Sequence, residues 1–215
     1  FMENTMRAVE LAQSIARVAN GAGTNTTALL TDMNSVLGTT VGNALELKEA
    51  LDYLQGKNID QRLNEVTMSL AAELLINSGL AKSPAEASAK LQKSISSGTA
   101  YEKFIKMSAH LGADKSILDN PEKYLPQAKY IEPIYAQKEG YISAIDTRKV
   151  GLGVIILGGG RTLPTQKINY TTGFTSFCQI GDKADTKTPL CYVHAEDKAE
   201  IAEARKIITD AVTIS

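Results

Sequence analysis

The sequence predicts an α/β protein in two parts: a helix-rich α/β segment over residues 1–127 and a small α+β domain over residues 128–215. Three observations carry this reading. Apolar residues recur at three-to-four spacing through roughly the first half of the chain, the period of an amphipathic helix. Asn120-Pro121 and Leu125-Pro126 then punctuate a weakly periodic stretch, residues 114–127, which reads as a linker. Beyond it come β-branched and aromatic runs bounded by Gly or Asp, the pattern of short strands. With 43% hydrophobic and 22% charged residues in 215, the chain is long and apolar enough to bury a core.

The elements follow in order. Met6, Val9, Leu11, Ala12, Ile15, Ala16 and Val18 form one apolar helical face, and Gly21-Ala22-Gly23 ends it. Thr26 to Thr31 is short, partly β-branched and without helical period, so a buried strand is expected there. A polar loop from Asp32 to Thr40 follows, and a helix is expected to begin at residues 41–43. The next helix spans Ile59 to Asn77. Ser83-Pro84-Ala85-Glu86 marks another start, with a capping-box pattern and proline at the first helical position. After Ser97-Gly98-Thr99 a helix runs from Ala100 to Leu111, with Phe104, Ile105 and Met107 expected inward. Strands are expected at Tyr130–Tyr135, Tyr141–Ile145, Val154–Leu157, Phe174–Ile180 and Pro189–His194, and a closing helix at Ala199–Ala211.

Composition excludes some classes of function. A formal net charge of −1 gives no electrostatic ground for binding nucleic acid or an anionic membrane. No apolar run approaches the roughly 20 residues of a membrane span, and no basic-then-apolar leader is present. Cys178 and Cys191 lack CxxC spacing and are expected to be reduced, buried small hydrophobes of a cytoplasmic protein.

Loop Asp32 to Thr40 is the strongest candidate site, because ligands of open α/β sheets gather at the carboxyl ends of strands. Asp32, Asn34, Ser35, Thr39 and Thr40 offer oxygens suited to a hard cation or a polar substrate. The same residues also suit a capped helix start with turn chemistry. Gly158-Gly159-Gly160-Arg161 could cradle a phosphate, but without a Walker or GxGxxG pattern a tight structural turn is favoured. His110 sits at a helix end, where a capping role is simplest. His194 ends a strand, and two histidines so placed make no zinc site. Gly181-Asp182-Lys183-Ala184 followed by Pro189-Leu190 resembles the turn of biotinyl and lipoyl carrier domains, yet the chain has no Met-Lys pair to carry a swinging arm.

Several stretches together resemble one family. Phe1-Met2, Thr31-Asp32-Met33-Asn34, Leu37-Gly38, Val41 to Glu46, Gly140 to Arg148 and Gly158-Gly159-Gly160-Arg161 occur in the order found in the later half of bacterial thymidine phosphorylases, within the pyrimidine-nucleoside phosphorylase group. Thr31-Asp32-Met33-Asn34 and Ile145-Asp146-Thr147-Arg148 lean towards the thymidine enzymes rather than the broader-specificity pyrimidine ones. The resemblance implies the later half of the nucleoside phosphorylase α/β domain, helices around a mixed sheet, followed by a C-terminal α+β domain of hammerhead or barrel-sandwich type.

It also implies an activity: reversible phosphorolysis of thymidine to thymine and 2-deoxyribose 1-phosphate in pyrimidine salvage, by a cytoplasmic homodimer with inorganic phosphate as co-substrate. No organic cofactor, nucleic acid or membrane is implied. The family's phosphate loop and base-gripping residues precede the Phe-Met pair, so no catalytic residue is assigned in this chain, which is expected to be an inactive fragment when alone. Phe1 corresponds to an aromatic that lines the base pocket. A potassium ion is implied beside the phosphate loop, held from this half by the carbonyls of Leu37 and Thr40 and the carboxylate of Glu49. The alternatives are a broader-specificity pyrimidine-nucleoside phosphorylase and a non-enzymatic binding or structural module.

Overall fold

Helix starts are where side chains act most directly on this fold. The computed structural model describes residues 2, 4–114, 116 and 120–215, and eight helices and six strands lie among them. Helix α1 (Thr5–Gly21) begins where the Asn4 side chain accepts from the Arg7 amide. Helix α2 spans Asn43–Leu54 and α3 spans Gln61–Asn77. Helix α4 (Pro84–Ser96) starts with proline in its first turn and the Ser83 hydroxyl accepting from the Glu86 amide. The other arm of the expected capping box reaches one residue further back, where the Glu86 carboxylate accepts from the Lys82 amide at 2.9 Å. Helix α5 spans Thr99–His110 and the short α6 spans Pro121–Tyr124.

The chain divides into two compact units. The first comprises Phe1–Asp32 and Gln61–Ala100. Within it α3 packs on α4, yet only Ala81 and Ala87 are buried among its described residues. Met6, Leu11, Ile15 and Val18 of the expected apolar face of α1 are exposed. Thr26 to Thr31 is not a strand. A parallel strand exists only as part of a ladder, and no described strand pairs with this segment, which leaves Leu29 and Leu30 exposed. Asn77 ties down its start, exchanging hydrogen bonds with the Thr27 hydroxyl and accepting from the Asn25 side chain through its carbonyl.

The second unit comprises Met33–Asp60 and Tyr101–Ser215, so the 127/128 boundary expected from the sequence falls inside it. Strands β1 (Tyr130–Tyr135), β3 (Gly173–Thr175) and β5 (Pro189–Ala195) form an antiparallel sheet in the order β1-β5-β3. Central β5 is buried on both faces through Leu190, Cys191, Val193 and Ala195. Strands β2 (Gly140–Ile145), β4 (Lys183–Ala184) and β6 (Val212–Ile214) form the other, in the order β4-β2-β6. Helices α7 (Thr147–Ile156) and α8 (Lys198–Ala211) pack together beside the sheets. Helix α8 carries a full capping box between Asp197 and Glu200.

Two further expectations fail here. Val154 to Leu157 lies in α7 and its C-terminal turn rather than in a strand. Asp146 caps that helix by accepting from the Lys149 amide at 3.1 Å, and Val150, Gly153, Val154 and Leu157 are buried at helical spacing. A β-branched run can serve a helix when its period buries one face. Met107 of α5 is exposed, while Phe104 and Ile105 are half-buried.

The core of the second unit closes around Phe174, fully buried and edge-to-face with Phe177 at 6.1 Å between ring centroids. Gly153 lies against this ring, where an added Cβ would stand 3.2 Å from it. Phe174→Ala is expected to cost about 3–5 kcal/mol by urea unfolding. Leu30→Ala, at a side chain left exposed, should stay within about 0.5 kcal/mol of the parent.

Candidate functional site

Loop residues 33–42 reach α2 through a backbone joint with the C-terminal strands. Val41 and Phe174 exchange both backbone hydrogen bonds, the Val41 amide donating at 2.9 Å and the Phe174 amide at 2.8 Å. The backbones approach this closely because both flanking positions are glycine. Gly42 has φ 135° and a Cβ there would lie 2.4 Å from the Thr172 carbonyl; Gly173 has φ 148° and its Cβ would lie 2.0 Å from the Val41 carbonyl. Beyond the joint the start of α2 is already satisfied. The Glu46 carboxylate accepts from the Gly42 amide at 2.9 Å, and the Ala44 amide donates to the Tyr170 carbonyl at 3.1 Å. That helix start therefore spends these donors internally rather than on an anion.

Within the loop one carboxylate organises the turn. Glu49 of α2 accepts from the Thr39 amide at 2.7 Å and the Thr39 hydroxyl at 2.8 Å through Oε1, and from the Thr40 hydroxyl at 2.7 Å through Oε2. A carboxylate offers about four lone-pair directions, so one remains after these three. Gly38 is buried against the same group, and a Cβ there would meet Glu49 Oε2 at 2.5 Å. The C-terminal domain grips the opposite polarity of the loop, through the start of α7 and the segment that follows β3. Gly38 O accepts from Gln179 Nε2 at 2.8 Å, Thr39 O from the Phe177 amide at 2.9 Å, and Met33 O from Thr147 Oγ1 at 2.7 Å. Among the described residues no donor is assigned to the carbonyls of Leu37 or Thr40.

The expected oxygens thus divide. Thr39, Thr40 and Glu49 come together, whereas Asp32 belongs to the first unit, where its carboxylate pairs with Arg62 at 3.4 Å. Phe1 lies outside the described residues. For a monovalent cation the donor types fit: two carbonyl oxygens without an assigned donor and one carboxylate with a remaining lone pair, all hard ligands. Gly38, Phe177 and Gln179 were missed by sequence reasoning. Leu37-Gly38 was a visible signal for the first, and nothing local to residues 177–179 signals the others.

The remaining candidates resolve as structure. Gly158 to Gly160 closes α7 at its C-terminal end, with the Gly159 amide donating to the Val154 carbonyl at 2.8 Å. A Cβ on Gly159 or Gly160 would stand 2.7 and 2.8 Å from Val154 and Ile155. The carbonyl-rich end of a helix repels anions, so this is a tight turn. His110 Nδ1 lies 2.6 Å from the Lys106 carbonyl of its own helix. Both cysteines are unpaired, and burial pushes the Cys178 thiol up to about 12 and the Cys191 thiol higher still, leaving both protonated. Among the described residues no cluster of three His, Cys, Asp or Glu could hold a metal, and no helix is long and apolar enough to cross a membrane.

His194 lies at the wall of a mainly apolar cavity of about 290 Å³, which Leu45, Lys48, Leu125 and Ile131 also line. Its Nε2 lies 2.9 Å from the Thr175 hydroxyl.

Comparison with known protein families gives two matches. Residues 2–101 match the glycosyl transferase family, a/b domain, and residues 141–215 match the pyrimidine nucleoside phosphorylase C-terminal domain. The chain carries both domain types in one order, and the family these matches support is that of the nucleoside phosphorylases, which are pentosyltransferases. The structure agrees with them in class, as a mixed α/β chain ending in two small antiparallel sheets.

Two outcomes test this site. Gly38→Ala should destabilise the protein by about 1–3 kcal/mol through overpacking, and much of that loss should vanish in a Glu49→Ala background, as a double-mutant cycle in urea would show. Burial holds His194 below its ordinary value, so the unfolded chain binds that proton more readily. The stability His194 contributes is then complete above about pH 6.5 and lost as pH falls below it. Melting temperatures between about pH 7.5 and 5.5 should fall more steeply for the parent than for His194→Gln.

Proposed function

We propose that these residues serve a thymidine phosphorylase, which converts thymidine and inorganic phosphate to thymine and 2-deoxyribose 1-phosphate and runs the reaction in reverse. One observation carries the thymidine reading beyond the family. The two stretches that lean towards thymidine enzymes, Thr31-Asp32-Met33-Asn34 and Ile145-Asp146-Thr147-Arg148, meet through the Thr147 hydroxyl on the Met33 carbonyl. The two stretches on which the resemblance to thymidine enzymes rests thus touch at the root of the candidate loop.

The reaction is a displacement at the sugar C1, with an oxocarbenium-like centre between phosphate and departing base. Its demands are a phosphate held close to that carbon and donors for charge growing on the base. We assign neither task to a side chain of this chain. Its part is to build a loop that offers oxygen. The carbonyls of Leu37 and Thr40 and the Glu49 carboxylate would hold a potassium ion, which when bound supplies fixed positive charge beside the phosphate. Thr39 and Thr40 orient Glu49, and Gln179 and Phe177, in the segment after β3, keep the Gly38 and Thr39 carbonyls occupied. In the same reading the parent enzyme is a cytoplasmic homodimer whose base pocket includes Phe1.

The test is phosphorolysis by the native gene product that carries these residues, followed by the ultraviolet change as nucleoside becomes free base. Thymidine should be turned over about ten-fold or more faster than uridine in kcat/KM, a difference of about 1.4 kcal/mol in transition-state binding. Equal rates would move the assignment to the broader pyrimidine-nucleoside phosphorylases. Turnover of neither would remove the enzymatic reading. Glu49→Gln should raise KM for phosphate more than it lowers kcat, because it alters a binding environment and no reacting atom.

A further inference from the structure

We infer that Gln179 is a positioning residue for the oxygen set of Leu37, Thr40 and Glu49, so that the cation affinity of the loop depends on segment 174–179 of the C-terminal domain. The inference rests on the potassium reading above and goes beyond it in naming what holds the site in shape. Four carbonyls of the loop are engaged from that domain: Met33 by Thr147, Gly38 by Gln179, Thr39 by Phe177 and Val41 by Phe174. Leu37 and Thr40, whose carbonyls have no assigned donor among the described residues, stand on either side of the held Gly38 and Thr39 carbonyls along the turn. A flexible loop presents its carbonyls in many directions, and ordering it for a ligand costs conformational entropy. Binding Gly38 O and Thr39 O in advance removes most of that freedom from the intervening peptide units.

Among the described residues Gln179 is the one side chain of that domain that grips the turn itself, 141 residues distant in sequence from Gly38. Its placement is held in turn. The Gln179 amide donates to the Asp182 carboxylate at 2.7 Å, the Gly181 amide donates to the Ile142 carbonyl at 2.8 Å, and the Cys178 amide donates to the Leu190 carbonyl at 2.8 Å. Ser176, just before, has φ 49°, a conformation that non-glycine residues rarely adopt. It turns the chain out of β3 so that the next residues face the loop. Strain of this kind persists where the surroundings over-determine it, and here those surroundings are the joint at Phe174 and the two bonds at Phe177 and Gln179.

The experiment titrates potassium against the full chain at constant ionic strength, with tetramethylammonium replacing it, and reads the melting temperature and amide hydrogen exchange at residues 38–41. Gln179→Glu keeps the shape and removes the donor, since a carboxylate only accepts. Asp197→Ala, which removes the cap of α8 far from the loop, controls for general destabilisation. Gln179→Glu should raise the half-saturating potassium concentration about ten-fold and speed exchange at residues 38–41, while Asp197→Ala lowers the melting temperature without either effect. The same half-saturation in Gln179→Glu and parent would overturn the inference, whatever the melting temperature does. No potassium response in the parent would remove the cation reading and the inference with it, and exchange at residues 38–41 would then show separately whether Gln179 orders the loop.

Discussion

The backbone joint between Val41 and Phe174 is the constraint on which the second unit depends. Two glycines with positive φ stand face to face there, each so close to the other strand that a methyl group could not fit. The joint fixes where α2 begins, and α2 carries Glu49. It also fixes the course of residues 174–179, which return to the loop from its other side. Phe174 anchors the same point in the core with its ring while its backbone holds the loop. Packing and site geometry therefore share one residue, and a change that loosens the core there loosens the loop as well.

From this follows how the loop can be both polar and ordered. A stretch rich in Thr, Ser, Asn and Gly has several conformations open to it and little apolar area to bury. Glu49 collects three donors of the turn, and residues 174–179 supply donors to its carbonyls. Each bond contributes only about 0.5–1.5 kcal/mol net. Their joint effect is larger than any one because they constrain adjacent peptide units. The first unit shows the contrast. Residues 24–27 are held by side chains of Asn20 and Asn77, but residues 28–31 have no strand partner among the described residues and stay exposed despite the β-branched composition before them.

Helices and strands with clear punctuation were legible from the sequence. Ser83-Pro84 starts α4, and the β-rich runs at Tyr130, Tyr141 and Pro189 become β1, β2 and β5. Errors arose where local chemistry and long-range partners disagreed. Val154 to Leu157 looks like a strand residue by residue, but the cap at Asp146 and the spacing back to Val150 make it helical. Thr26 to Thr31 looks like a strand too, and lacks only a neighbour, which no local pattern can reveal. The glycine triplet is the tight turn that the sequence favours. A phosphate cradle needs glycines ahead of a helix, where amides point outward, and here they follow one, where Gly159 and Gly160 serve close packing.

Side-chain motifs are a poor guide to the site proposed here, whose ligands would be mainly carbonyls. At Leu37 and Thr40 the proposed ligand atom is backbone, so the residue type would matter through the conformation it permits rather than through its chemistry. The residues whose identity is constrained are the ones around them. Gly38 must lack a Cβ for Glu49 to close over it, Thr39 and Thr40 must carry hydroxyls to orient that carboxylate, and residue 179 must bring a donor to the Gly38 carbonyl. A reading that starts from chemistry-bearing side chains finds Glu49 and the threonines and stops. One that asks where each backbone carbonyl of the loop is satisfied arrives at the C-terminal domain, and gives that domain a reason to be attached to this one.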